Sequence, residues 1–338
     1  MKTLLTTTAL AALMLAACAP EAEDTEAPAV DTMGEEETAA DTMMDGETGA
    51  DDAAMEDADM EDADMGGESM DDEAMEAGGS DMDAILADAR RDDDRARDEF
   101  RNPGETLAFF GVEPGDTVAE ALPGGGWYTR VILPYVGEEG RYVALNYAIP
   151  QWEEMYGDRW SEEAEAELSA WTETAPEALA ENGPVSAEDI DAYMMGSIPD
   201  SENGQADAVL FIRAVHHMMK FEADYLSTAL EDVYAFLKPG GVVGVVQHRA
   251  PEDMDAEMTT GSRGYVKQSD VVAAFEAAGF VLDGESEVNA NPGDTADHES
   301  GVWAMGPSNA GDSEEEDVPP SQDLGESDRM TLRFVKPE

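Results

Sequence analysis

Hydrophobic and polar positions change rhythm several times along this chain, and each change predicts an element. Thr117-Val118-Ala119-Glu120-Ala121-Leu122 is a short β-branched and apolar run behind the turn signal Glu113-Pro114-Gly115-Asp116, and it predicts a strand. Pro123-Gly124-Gly125-Gly126 follows as a turn, then Tyr128, Val131, Ile132 and Tyr135 recur at helical spacing over Trp127–Val136 and stop at Gly137. Arg141–Tyr147 predicts the next strand. Further on, Ala206–Ile212 reads as a compact apolar strand, Phe221–Leu237 as a helix and Lys238-Pro239-Gly240-Gly241 as a turn. Val242–Val246 is a continuous apolar run of the kind buried in parallel sheets. Ser269–Ala278 predicts a helix closed by Gly279, and Phe280–Val288 and Met330–Val335 predict final strands, for which an antiparallel edge pair is one arrangement. Asn289–Asp328 between them is long and polar and reads as a surface loop. Ahead of the first strand, Asp83–Arg97 and Pro103–Phe110 carry helical patterns, and Pro150–Glu181 is helical, acidic and tryptophan-bearing until Asn182 breaks it. Strands alternating with helices predict an α/β, doubly wound, mainly parallel sheet with helices on both faces.

The amino-terminal residues follow other rules. Lys2 precedes an apolar run, Leu4–Leu15, too short to span a bilayer and suited to a secretory segment. It ends in Leu15-Ala16-Ala17-Cys18, which resembles the lipobox of bacterial lipoproteins, and Cys18 is the one cysteine of the chain. A single thiol forms no intramolecular disulfide and no cysteine-rich metal site. The resemblance implies a signal peptide over 1–18 with lipidation at Cys18. With Ala19 following, it implies sorting to the periplasmic face of the outer membrane. An ordinary signal peptide with an incidental cysteine is the alternative.

Residues 19–83 contain no Lys, Arg or aromatic residue, so they bury too little apolar surface to offset chain entropy and predict a disordered acidic linker. Met55, Met60, Met65, Met70 and Met75 recur every fifth residue, a period that fits neither helix nor strand. A self-repelling spacer is the plain reading. Weak cation binding by carboxylates and thioethers is the functional one. Residues 84–338 then form the folded domain. The formal net charge of −61 argues against nucleic acid or anionic membrane as partners, leaving the lipid as the only membrane contact. So acidic a composition with few lysines also fits a saline habitat.

Candidate chemistry gathers at the strand ends. A strand leading through glycines into a helix presents backbone N–H groups beside the strand's carboxyl end, where open α/β sheets bind nucleotides and related cofactors. His216, His217 and His248 fall just after predicted strands on that same side; any one alone reads more readily as structural, three at the same edge balance the two readings, and their spacing matches no known metal site. Arg90, Arg91, Arg95, Arg97 and Arg101 form the one basic concentration, read as salt bridging to an acidic surface, with substrate contact as the alternative.

These residues resemble class I S-adenosylmethionine-dependent methyltransferases, and more narrowly an exported group of them, over about 85–337. The resemblance rests on Glu120-Ala121-Leu122-Pro123-Gly124-Gly125-Gly126-Trp127-Tyr128-Thr129, on Phe236-Leu237-Lys238-Pro239-Gly240-Gly241, and on Arg95, Arg97, Pro103 and Phe109-Phe110. It implies a Rossmann-like fold, S-adenosylmethionine as cofactor, and cofactor contacts from Glu120, Pro123, Gly124, Gly125, Gly126, Tyr128, Thr129 and Asn146. It leaves the methyl acceptor unknown, a small molecule being one class, with His216, His217 and His248 as candidate catalytic groups. Three departures stand out. Asn146 ends the second strand where many such enzymes carry an acid, His216-His217 replaces a frequent His-Asp, and Gln247-His248 replaces Asp-His. These losses of carboxylate point to a changed or lost activity and keep open a non-catalytic envelope lipoprotein with the same fold. A nicotinamide enzyme fits less well, because Pro-Gly-Gly-Gly lacks the spacing Gly-x-Gly-x-x-Gly and no acid follows the second strand.

Overall fold

The computed structural model describes residues 82–306 and 324–338. The expectations for 1–18, for Cys18 and for the acidic tract therefore lie outside the described residues, except that Met82 and Asp83 already belong to a helix, Met82–Leu86.

Among the described residues eight strands build the sheet: β1 Thr117–Ala121, β2 Arg141–Asn146, β3 Ile190–Met194, β4 Ala206–Ile212, β5 Leu237–Ala250, β6 Val266–Lys267, β7 Val281–Ser286 and β8 Arg329–Val335. Their order is β3-β2-β1-β4-β5-β8-β7, with β6 pairing β5 off that path. Neighbours from β3 to β5 are parallel, and β8 runs antiparallel to both β5 and β7. The architecture is the doubly wound, mainly parallel α/β fold with a reversed strand near one edge.

Alternation along the strands explains the two layers. Ala119, Ala121, Val143, Leu145, Val209, Phe211, Val243 and Val245 face one core, with Leu230, Val233 and Phe236 of the helix Tyr225–Phe236 and Val271 and Phe275 of the helix Gln268–Ala277. Val118, Tyr142, Ala144, Ala208 and Leu210 face the other. There they meet Leu107 and Phe110 of the helix Pro103–Phe110, Val131 and Ile132 of the helix Thr129–Val136, and Trp171 and Leu179 of the helix Trp171–Ala180. Gly244 in β5 lets the Phe110 ring lie against the sheet, since a Cβ there would come within 2.6 Å of it.

Several boundaries differ from the sequence reading, each for a local reason. Residues 83–97 do not form one helix. After Leu86 the chain makes the single turns Ala89–Arg91 and Arg95–Arg97 and the short helix Asp98–Arg101. The Asp88 side chain accepts from the Arg90 backbone N–H, so the acid caps a turn instead of continuing a helix. The helix expected from Phe221 starts at Tyr225 because Asp224 caps it through Ser227. The acidic stretch splits into Ile149–Tyr156, Glu162–Ser169 and Trp171–Ala180, with Ser161 capping the second. Lys238–Gly241 is a bulge inside β5 and not a separate turn: pairing runs Ala206 to Leu237 and resumes at Ala208 with Val242. Of the two final strands β7 alone lies at an edge, because β8 has partners on both sides; β3 forms the other edge of the sheet.

Candidate functional site

The sheet turns in opposite directions on the two sides of β1, towards β2 and β3 on one and towards β4 and β5 on the other. The carboxyl ends of β1 and β4 therefore border the crevice in which such sheets bind ligands. Both strands stop abruptly there. Leu122 and Arg213, the residues just beyond them, hold positive φ of 57° and 58°, unusual for residues with a side chain. Their amides stay anchored to the sheet, Leu122 donating to the Leu145 carbonyl at 2.7 Å and Arg213 to the Val246 carbonyl at 2.6 Å.

The glycine turn follows β1. Gly126 donates to the Pro123 carbonyl at 2.9 Å, and both Gly124 and Gly126 take positive φ. A Cβ at Gly126 would strike Asn182, whereas one at Gly125 would meet nothing within 4 Å. The turn is braced from behind by Arg130, which donates to the Gly125 carbonyl and to Asn182 while its other guanidinium edge grips Asp94. An exposed, rigid backbone with open space before it is the arrangement a ligand needs for close approach.

Beneath the turn, Glu120 is buried and its Oε2 accepts from Thr129 Oγ1 at 2.7 Å and from Tyr142 Oη at 2.6 Å. Burial raises its pKa above the usual glutamate value, against the lowering effect of those two hydroxyls. Tyr128 donates to the Arg101 carbonyl, and burial pushes its phenol up to about 12. The helix begins at Thr129, so Trp127 and Tyr128 belong to the turn.

Asn146 ends β2. Its Oδ1 accepts from the Tyr147 backbone N–H at 2.8 Å and from Trp152 Nε1 at 3.0 Å. Two donors on one oxygen define the orientation of the amide. Its Nδ2, fully buried, has no hydrogen-bond partner.

The structure brings the three histidines together. The His216 ring centroid lies 3.9 Å from that of His217 and 5.4 Å from that of His248. Gln247 Oε1 accepts from both the backbone N–H and Nδ1 of His216, because Gln247 Nε2 donates to the Gly264 carbonyl. Tyr147 Oη donates to the Ala214 carbonyl and so accepts from His217 Nδ1 at 3.0 Å. In both rings the proton is on Nδ1 and Nε2 keeps its lone pair. His248 Nδ1 pairs with Ser327 Oγ at 2.6 Å. Burial drives all three pKa values down, His216 to about 3 and the other two well below the ordinary value, so the rings are neutral at neutral pH. Among the described residues, no group of three or more His, Cys, Asp or Glu is arranged to hold a metal ion.

Other residues at this edge had no signal in the sequence beyond the arginine concentration itself. Trp127 carries the Arg101 guanidinium 4.6 Å and the Arg91 guanidinium 5.1 Å from its ring centroid. Arg97, Arg101 and Arg329 converge on Glu326. Glu326 and Ser327 are buried, so the end of the polar segment 289–328 is interior and not a surface loop. A separate cavity of about 300 Å³ lies between Arg249, Glu252, Asp294 and Asp328, whose charges are mostly matched locally, Arg249 by Glu287 and Asp328 and Asp294 by Tyr265 and His298.

No protein-family model and no curated protein matches this chain. Solved structures of similar fold do. One is a SAM-dependent methyltransferase from Aquifex aeolicus, 16% identical over 76% of this chain and 98% of its own, with a TM-score of 0.41. Another is geranyl diphosphate methyltransferase in complex with SAM, 15% identical over 77% and 96%, at 0.44. A third is the [4+2]-cyclase SpnF, 14% identical over 70% and 80%, at 0.40. These likenesses are distant, and the strand order itself defines the fold.

Proposed function

We propose that this chain is an S-adenosylmethionine-dependent methyltransferase of the cell envelope, held by a lipid on Cys18 at the periplasmic face of the outer membrane and acting on an acceptor outside nucleic acids. The observation that carries the cofactor assignment is the buried Asn146 Nδ2, which lacks an acceptor at the carboxyl end of β2, beside the crevice. Buried amide donors are normally satisfied, and a ribose hydroxyl supplies the missing oxygen. The open space before Gly125 gives the second half of the fit. Pro123–Gly126 would hold the methionine part, with Glu120, Tyr128 and Thr129 supporting the turn from below.

Bound S-adenosylmethionine supplies a sulfonium methyl group that an aligned nucleophile displaces in line. The chain's own part is alignment. His216 and His217 keep unprotonated Nε2 lone pairs at neutral pH, which can accept a hydrogen bond from an acceptor's hydroxyl or amine and orient it, while burial leaves both rings weak bases. A second reading, a non-catalytic envelope protein with this fold, is favoured by Glu120, whose Oε2 is already engaged by Thr129 and Tyr142.

Calorimetric titration of the full-length chain with S-adenosylmethionine and S-adenosylhomocysteine separates the two. Wild type binds both under the methyltransferase reading. Gly125→Val, at a position without positive φ and with free space for the side chain, keeps the thermal transition and loses binding. A folded wild type that binds neither compound leaves the non-catalytic reading.

A further inference from the structure

The turns between Ala89 and Arg101 and the start of β8 share a charge arrangement that neither the fold nor the cofactor reading requires. Arg101 is buried to 1% exposure. Its Nε donates to both Glu326 oxygens, at 3.1 and 3.0 Å, while NH1 and NH2 are buried and have no hydrogen-bond partner. Glu326 is shared by two further guanidinium groups, Arg97 through Nε at 2.6 Å and Arg329 through NH2 at 3.0 Å. Three cations thus converge on one carboxylate, in a chain whose formal net charge is −61. The indole of Trp127 lies under Arg101, and its own Nε1 is another buried donor without a partner. Buried guanidinium N–H groups are costly to leave without acceptors, and a planar fork matches a carboxylate or phosphate. Trp127 directly follows the glycine turn, and the Arg101 carbonyl is tied to Tyr128. The unsatisfied donors therefore stand beside the crevice proposed to hold the methyl donor.

We propose that Arg101 and Trp127, with Arg97 and Arg329 behind them, form a recognition site for an anionic group of the methyl acceptor, a carboxylate or phosphate. This assignment rests on the methyltransferase reading and adds the chemical class of its substrate. The acceptor enters past Arg97, whose side chain is 27% exposed and marks the solvent side of the cluster. Its anion takes the N–H groups of Arg101 that Glu326 leaves unfilled and the indole N–H of Trp127. The remainder of the acceptor then extends towards the histidines, for β8 pairs Arg329 with His248.

The test uses full-length protein and inorganic phosphate as the probe, titrated against chloride at equal ionic strength, with and without S-adenosylhomocysteine. Expected is a saturable, phosphate-specific rise in Tm of roughly 2–4 °C, of the same size when S-adenosylhomocysteine is bound. Arg101→Lys keeps the charge but loses the fork, and weakens the phosphate effect at least tenfold while S-adenosylhomocysteine binding stays. Should Arg101→Lys not fold, Trp127→Phe keeps the ring and removes only Nε1–H, and it weakens the phosphate effect by several-fold. Absence of the phosphate effect in wild type that binds S-adenosylhomocysteine overturns the anion site and spares the methyltransferase reading. Competition between the two ligands also overturns it, because the anion recognised is then the cofactor's own carboxylate. Phosphate binding without any S-adenosylhomocysteine binding removes methyl transfer and with it the acceptor role. A phosphate effect unchanged in both variants places the anion elsewhere and likewise overturns the assignment.

Discussion

Trp152 Nε1 donates to Asn146 Oδ1 at 3.0 Å, and this bond decides which side of the Asn146 amide remains for a ligand. The indole, together with the Tyr147 backbone N–H, claims the oxygen, so only the NH2 group is left. Asn146 can therefore donate to a ribose oxygen but cannot accept from a ribose hydroxyl.

Asn146→Asp should for that reason tighten S-adenosylhomocysteine binding, by up to about tenfold, because a carboxylate keeps both existing donors and offers a charged acceptor to the ribose. Asn146→Ala should weaken binding about tenfold and lower Tm, since Trp152 Nε1 and the Tyr147 amide lose their acceptor. Calorimetry and a thermal melt on the same samples check both. Equal affinities for all three proteins would remove the ribose from this position.

Glu120 gives a stability prediction with a defined sign. Its folded pKa is raised, chiefly by burial, so the folded state favours the protonated acid. Its contribution to stability is then fully present below the unfolded value near 4.5 and declines as pH rises through the folded pKa. Glu120→Gln does not titrate. The Tm difference between wild type and Glu120→Gln should move in favour of the variant as pH is taken from 4 to 7. A difference that is flat over that range contradicts the buried carboxylate.

The histidines have the opposite sign. Their folded pKa values are depressed, so the stability linked to keeping them neutral is fully present above the unfolded value of 6.5 and is lost as pH falls towards the folded values, near 3 for His216. Imidazole NMR signals of His216, His217 and His248 should show no titration between pH 8 and 6. Acid unfolding should be less steep in His216→Gln than in wild type. A titration step near neutrality in any of the three would show the ring to be solvated.

The proposed lipid anchor on Cys18 has a direct test. Cys18→Ser should move the mature protein from the membrane fraction to the soluble periplasmic extract. Unchanged membrane retention would exclude the thioether-linked lipid as the anchor.

The strand–glycine–helix–strand unit was legible because its signals are local: a β-branched run, three glycines and a 3.6-residue apolar period all lie within Thr117–Asn146. The same holds for Ala206–Ile212, whose boundaries the structure reproduces residue for residue. β3 was not legible. Ile190-Asp191-Ala192-Tyr193-Met194 carries an acid in a five-residue edge strand, and its identity as a strand comes from pairing with β2. The position of the histidines at strand ends could be read from order alone, but their partners could not, since Tyr147 and His217 are 70 residues apart. Glu326 shows the same limit more sharply. A glutamate in a polar segment looks like surface, and only the arrival of Arg101, 225 residues away, makes it an interior counterion.

Tyr147 spans the end of β1, reaching from β2 to the Ala214 carbonyl and His217 beyond β4. That bridge makes the two flanking strand ends one stiff jamb. The opposite side of the crevice is assembled from the three- and four-residue turns between Ala89 and Arg101, which have little regular hydrogen bonding of their own. These turns are held instead by side chains, Asp94 by Arg130 and Arg97 and Arg101 by Glu326, so their order rests on ion pairs where that of the sheet rests on a backbone ladder. Hydrogen exchange should accordingly be faster in the turns between Ala89 and Arg101 than in the sheet, and its slowing there on phosphate addition would report the charge cluster directly.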